Sequence, residues 1–146
     1  MLREKEPGYC SIKVLTDSGR FDLERMEKLL HVAKEYGNGE VTYTRDCSVL
    51  LRKIPESKVS MAQKALEKEG LVFDRAGARV QPVVNCQDDL CPHTSCRIEE
   101  LAEKFQILFC RRMQEVELPS PLTIAMDGCS KGCALSVFHD MGVQEW

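Results

Sequence analysis

Apolar and polar residues alternate from Tyr9 to Thr16, which puts Cys10, Ile12 and Val14 on one face of a predicted strand. After a turn at Asp17-Ser18-Gly19-Arg20 the period changes to that of a helix. Asp22 supplies the N-cap, Leu23, Met26, Leu29, Leu30, Ala33 and Tyr36 form the apolar stripe, and Gly37-Asn38-Gly39 ends it. Residues 40–45 and 49–54 are rich in Val, Thr and Tyr and predict two strands around Asp46-Cys47-Ser48. Pro55 opens a second helix reaching to Glu69, with Val59, Ala62, Ala65 and Leu66 inward and Gly70 as its stop. The charged residues 1–8 read as frayed. This order, βαββα, predicts a ferredoxin-like arrangement with helices on one face of an antiparallel sheet.

A second region begins with a predicted strand over residues 78–85 that delivers the chain to Cys86. Beyond Cys91-Pro92 the periodicity predicts the longest helix, starting at Thr94 or Ser95 and ending at Val116. Ile98, Leu101, Ala102, Phe105, Leu108, Phe109 and Met113 line one face, and Ile107 and Cys110 fall on the other. Leu118-Pro119-Ser120-Pro121 breaks the chain, and residues 122–126 predict a strand running toward Cys129. The division reads as one half-domain at residues 1–77 and another at residues 78–146, an α+β fold class throughout.

The chain has 146 residues, a formal net charge of −3 and a sequence pI near 5.7. No dense basic stripe exists to displace counterions from phosphates, so nucleic acid is not an expected partner. No apolar run approaches a membrane span, and the N-terminus lacks the apolar core of a signal peptide, so the expected location is the cytoplasm. In that compartment the eight cysteines, at 10, 47, 86, 91, 96, 110, 129 and 133, need an explanation other than disulfides.

Two pairs stand out, Cys86-x4-Cys91 and Cys129-x3-Cys133, the second inside Asp127-Gly128-Cys129-Ser130-Lys131-Gly132-Cys133. Both follow predicted strands, on turns whose backbone N–H groups can point at sulfur. Four thiolates arriving as two pairs suit either a tetrahedral zinc or a [4Fe–4S] cubane. Cys96 is an alternative to Cys91, since Cys91-x4-Cys96 repeats the first spacing. Cys10 and Cys110 read as packing residues, Cys47 as a half-buried turn thiol, and His31, His93 and His139 as solvated. Lys131 either faces solvent or places positive charge beside a cluster or an anion.

Several segments together resemble the sulfite/nitrite reductase haemoprotein family. They are Glu40-Val-Thr-Tyr-Thr-Arg45-Asp-Cys-Ser-Val, the helix ending Glu69-Gly70-Leu71, Val80-Gln-Pro-Val-Val-Asn-Cys86, Leu118-Pro119 with Ile124 and Gly128-Cys129-x3-Cys133, and Asp140-Met141-Gly142. The resemblance runs over roughly residues 9–144 and implies a ferredoxin-like half-domain followed by a sirohaem/[4Fe–4S]-binding half-domain. It implies six-electron reduction of sulfite to sulfide or of nitrite to ammonia, with ferredoxin as a typical electron donor. By the same resemblance Cys86, Cys91, Cys129 and Cys133 hold the cluster, and Cys133 bridges it to the sirohaem iron. Arg45 then faces the sirohaem carboxylates or the anionic substrate, a role suited to a permanent charge with paired donors.

The chain departs from the family pattern in three places. Its first cysteine pair is one residue shorter, Pro121, Leu122 and Thr123 stand where lysines follow the Leu-Pro, and Trp146 comes soon after the second pair. These departures lead to the expectation of a subunit or half-unit within a homo- or hetero-oligomer, with Ile107, Cys110, Val137, Phe138 and Trp146 forming an apolar surface for a partner. A cluster-only electron-transfer protein and a structural zinc module are the alternatives.

Overall fold

The computed structural model describes residues 2–75, 77–94, 96–113 and 115–145. The expected helix start at Ser95 and the apolar Trp146 lie outside these. The chain divides into two compact units, residues 1–16 with 20–76 and residues 17–19 with 77–146.

In the first unit, β1 (Leu2–Arg3), β2 (Tyr9–Val14), β3 (Val41–Tyr43) and β4 (Val49–Pro55) form an antiparallel sheet in the order β1-β2-β4-β3. Two helices, α1 (Leu23–Tyr36) and α2 (Val59–Lys68), complete it, the second entered through a 3-10 turn at Glu56–Lys58. The alternation in β2 buries Cys10, Ile12 and Val14, which join Leu51 and Ile54 of β4 with Leu29, Val32 and Leu66 of the helices in one core. Asp22 caps α1 as its sequence predicts, accepting a hydrogen bond from the Arg25 N–H at 2.7 Å.

Two expectations for this unit are corrected. The face of α1 is rotated: Leu23 is 84% exposed and Leu30 is also exposed, while Val32 lies in the core. A stripe at i, i+3, i+4 can be drawn through either set, and packing on the sheet selects the one containing Val32. The first residues are not frayed, because β1 pairs with β2 and Glu4 is pinned behind it. Arg52 and Lys53 together oppose Ser11 in a bulge, with Lys53 at φ 53°. The Glu4 carboxylate closes this bulge, accepting from Ser11 Oγ at 2.7 Å, Lys53 N at 2.9 Å and Arg52 Nε at 3.0 Å.

These donors, Arg52 foremost, hold the Glu4 carboxyl down to about 2. A folded-state value below the unfolded one stabilises the fold above the ordinary carboxylate range, and that stabilisation disappears as pH falls toward about 2. Glu4→Gln is therefore expected to cost roughly 1–2 kcal/mol at neutral pH. The gap to the parent protein should close on acidification. Urea midpoints across that range check both the cost and its pH dependence, and a gap independent of pH would refute the assignment.

In the second unit, β5 (Val84–Asn85), β6 (Ile124–Asp127) and β7 (Met141–Gln144) form a parallel sheet in that order. The predicted strand over residues 78–85 survives as β5 and two isolated bridges, Ala78 to Leu118 and Val80 to Leu122. Pro82 interrupts the stretch between them, having no N–H for a ladder. The predicted long helix is shorter, α3 (Ile98–Phe105) running on into a π-helical segment, Gln106–Arg111, so that the continuous helical run only equals α1 in length. The wider π turn changes which side chains face inward. Cys110, expected on the outer side, is instead buried and donates from Sγ to Gln81 O at 3.1 Å, while Leu108 is exposed. Gln106 turns inward as well, and its Oε1 accepts the Val83 N–H at 2.9 Å. Ile98, Ala102, Val83, Ile124 and Met126 form the core they join. Among the described residues no helix is long and apolar enough to cross a membrane.

Candidate metal centre

A parallel sheet aims the ends of all its strands the same way, and in open sheets of this kind ligands gather beyond the carboxyl ends. Cys86 follows β5 directly, Asp127-Gly128-Cys129 leaves β6, and Glu145 leaves β7. The sheet thus gathers residues from three chain segments at one edge.

Gly128 is the hub of this edge. Its N–H donates to Cys86 Sγ at 3.2 Å, and its carbonyl accepts from Thr94 Oγ1 at 3.0 Å. A Cβ at this position would lie 2.2 Å from Thr94 Oγ1 and 3.0 Å from Ile98 Cγ1, so only glycine lets the loop approach this closely. Burial raises the Cys86 thiol, partly offset by the Gly128 N–H, with smaller upward contributions from Asp127, Asp88 and Cys133. Burial likewise raises the Cys96 thiol, followed by its hydrogen bond with Glu145.

The Cys129-x3-Cys133 loop is organised by an acid that sequence reasoning passed over as a mere flank. Asp127 is 1% exposed, and its carboxylate accepts the N–H of Ala134 at 2.6 Å and of Ser136 at 2.9 Å. One side chain therefore closes the turn between the second cysteine pair and β7. A lone acid at the end of an otherwise apolar strand, Ile124-Ala-Met-Asp127, was the available signal. Gln144 Nε2 donates to Cys129 O at 3.2 Å from the neighbouring strand, and Glu145 N donates to Asp127 O at 3.1 Å. Asp140 caps the start of β6 from outside, its Oδ2 accepting from Thr123 N at 2.8 Å and Oγ1 at 2.7 Å, which holds its carboxyl below the usual range.

The sulfurs are accessible to different degrees: Cys133 is exposed, whereas Cys86, Cys91, Cys96 and Cys129 are half-buried. Lys131 is exposed on the second cysteine loop, as are the apolar Val137 and Phe138 just beyond it. Arg45 lies in the first unit, exposed in the turn between β3 and β4, where its neighbour Cys47 adopts φ 58°. Burial raises the Cys47 thiol, followed by the adjacent Asp46.

The described cysteine sulfurs are not gathered as a tetrahedral zinc needs them. Tetrahedral zinc at about 2.3 Å from each sulfur requires the sulfurs roughly 3.8 Å apart. Among the described residues no three cysteine sulfurs lie within 4.8 Å of one another; the group that meets this limit is the acidic trio Asp88, Asp89 and Glu99. A cubane spreads its thiolates over separate irons and needs the wider spacing. A backbone N–H directed at a ligand sulfur, as on Cys86, is among the hydrogen bonds that tune such clusters.

Comparison with known proteins locates the fold. The family model for the nitrite/sulfite reductase ferredoxin-like half domain matches residues 2–69. No curated protein sequence matches the chain. Among solved structures, a dissimilatory sulfite reductase I (DsrI) superposes with a TM-score of 0.70 at 13% identity, covering 86% of this chain and 30% of that one. The Mycobacterium tuberculosis NirA protein superposes with a TM-score of 0.66 at 18% identity, covering 88% of this chain and 24% of that one. The chain thus spans less than a third of either protein's length while sharing its fold over most of its own residues.

Proposed function

We propose that this chain, whose residues 2–69 match the ferredoxin-like half domain of nitrite/sulfite reductases, is a member of that family, and that its second unit binds a [4Fe–4S] cluster and acts in sulfite or nitrite reduction as a subunit or half-unit. The observation that carries this reading is Gly128, whose N–H reaches the Cys86 sulfur from the residue preceding Cys129. One peptide thereby joins the two cysteine segments. In this reading Cys86, Cys129 and Cys133 are three of the ligands, and the fourth thiolate comes from Cys91 or Cys96. Cys133, the most exposed of these, is the thiolate proposed to bridge to a sirohaem iron. A sirohaem would supply the iron at which sulfite or nitrite accepts electrons. This chain's residues hold the cluster thiolates, with Gly128 buried and Cys86 half-buried beside it. Lys131 and Arg45 are the cations proposed for the anionic substrate or the sirohaem carboxylates, and an electron donor such as ferredoxin supplies the reducing equivalents.

A second reading, a cluster-only electron-transfer protein, is favoured by the charge around the first cysteine segment. Asp88, Asp89 and Glu99 bring their carboxylates together there, and such a surface repels sulfite and nitrite. Acid-acetone extraction of anaerobically purified protein, made in cells that synthesise sirohaem, separates the two readings. Sirohaem in stoichiometric yield is the expected result. A protein with iron and sulfide but no extractable tetrapyrrole would establish the second reading instead.

A further inference from the structure

We infer that Cys96, rather than Cys91, supplies the fourth thiolate, an assignment that rests on the cluster reading above. The Thr94 hydroxyl that donates to Gly128 O also lies 3.2 Å from Cys96 O and 3.9 Å from Cys96 Sγ. Gly128 therefore has the Cys86 sulfur on its N–H side and, through one threonine hydroxyl, the Cys96 sulfur on its carbonyl side.

Cys96 packs with Cys86 against the second unit's core, two residues before α3. Glu145, which leaves β7 and whose N–H is held by Asp127 O at the end of β6, lies beside it. Cys96 is thus near the edge where β6 and β7 end. Cys91 is placed differently: its N–H closes the 3-10 turn of Asp88–Leu90 on Asp88 O at 3.1 Å. Its neighbours Leu90, Pro92 and His93 are exposed, and no described hydrogen bond ties Cys91 to Gly128 or β6.

The sequence separation supports the same choice. Cys86 and Cys96 are ten positions apart, and the chain between them loops out through Leu90 and returns through Thr94 to the glycine. The loop is anchored at its first end by Cys86 N on Met126 O and at its second by Thr94 on Gly128, with Cys91 between the anchors.

The test compares parent, Cys91→Ser and Cys96→Ser proteins reconstituted anaerobically with ferrous iron and sulfide. The readouts are iron content, EPR of the reduced protein, and mass spectrometry of cysteines alkylated before and after loading. In the parent, cluster loading should protect Cys96 by at least about tenfold and leave Cys91 reactive; this arm involves no substitution that could unfold the protein. Cys91→Ser should keep about four irons per chain, and Cys96→Ser should fall to about three or fewer with a changed EPR signal. Protection of Cys91 in the loaded parent, with iron lost in Cys91→Ser and kept in Cys96→Ser, would overturn this assignment alone. A parent that takes up no iron and sulfide would overturn the cluster reading and this assignment with it.

Discussion

Asp127→Ala is expected to lower the stability of the second unit by about 2–5 kcal/mol, because it strands two buried N–H groups that a charged acceptor now holds. Those groups belong to Ala134 and Ser136, immediately after Cys133, and the carboxylate between them is 1% exposed. The cavity left by the acid cannot be refilled by the loop without moving Cys133 itself. Asp127→Asn keeps an acceptor of the same shape for one N–H and should cost about half as much. Urea titrations followed by circular dichroism give the stability. Hydrogen exchange should show the amides of residues 129–136 losing protection first, ahead of those in β2. An unchanged midpoint for Asp127→Ala would show that the loop is held by something else.

Gly128→Ala is the second large effect, expected to cost about 1–3 kcal/mol by overpacking. The added Cβ would lie 2.2 Å from Thr94 Oγ1 and 3.1 Å from Thr94 Cβ, so either the threonine or the Gly128 peptide has to move. Movement of the peptide draws its N–H away from the Cys86 sulfur, 3.2 Å distant. The variant should therefore load less iron than the parent even when it remains folded. Adding Thr94→Ala removes the closest of these clashes and leaves Ile98 Cγ1 at 3.0 Å, a flexible end that can yield, and the Cβ of residue 94 at 3.1 Å. The double variant should recover part of the lost stability, a non-additive result that residues in contact produce and distant ones do not. Additive losses in the pair would mean that Thr94 is not what the new methyl group meets.

Much of the first unit was legible in the sequence because its signals are local. The period-two run at Cys10, Ile12 and Val14, the Asp22 cap and the Gly70 stop each act within a few residues, and the observed elements follow them closely. What was missed depends on contacts distant in sequence. Glu4 is 48 positions from Arg52, and nothing in the charged first residues reveals that a bulge in β4 will receive that carboxylate. The choice between Leu23 and Val32 as the buried position of α1 is made by the sheet. The π-helical segment defeats a 3.6-residue template by its nature, which is why Cys110 was assigned to the wrong side.

At the candidate site the two cysteine pairs and their strand-end positions were readable from spacing. The residues that shape them were not. Gly128 stands plainly in the second cysteine motif, but its partner Thr94 lies 34 positions away. Asp127 looked like a flanking acid, and β7, which supplies Gln144 and Glu145 to the edge, has only four residues and little alternation. Val137 and Phe138 are exposed, as their position beyond the second pair suggested, whereas Cys110 does not join them.

If the carboxyl edge of the β5-β6-β7 sheet holds iron and sulfide on cysteine thiolates, anaerobically reconstituted protein offered ferrous iron, sulfide and zinc together should carry about four irons and about four sulfides per chain, with little zinc. Metal and acid-labile sulfide analysis measures this. One zinc per chain with neither iron nor sulfide would exclude a cluster at that edge.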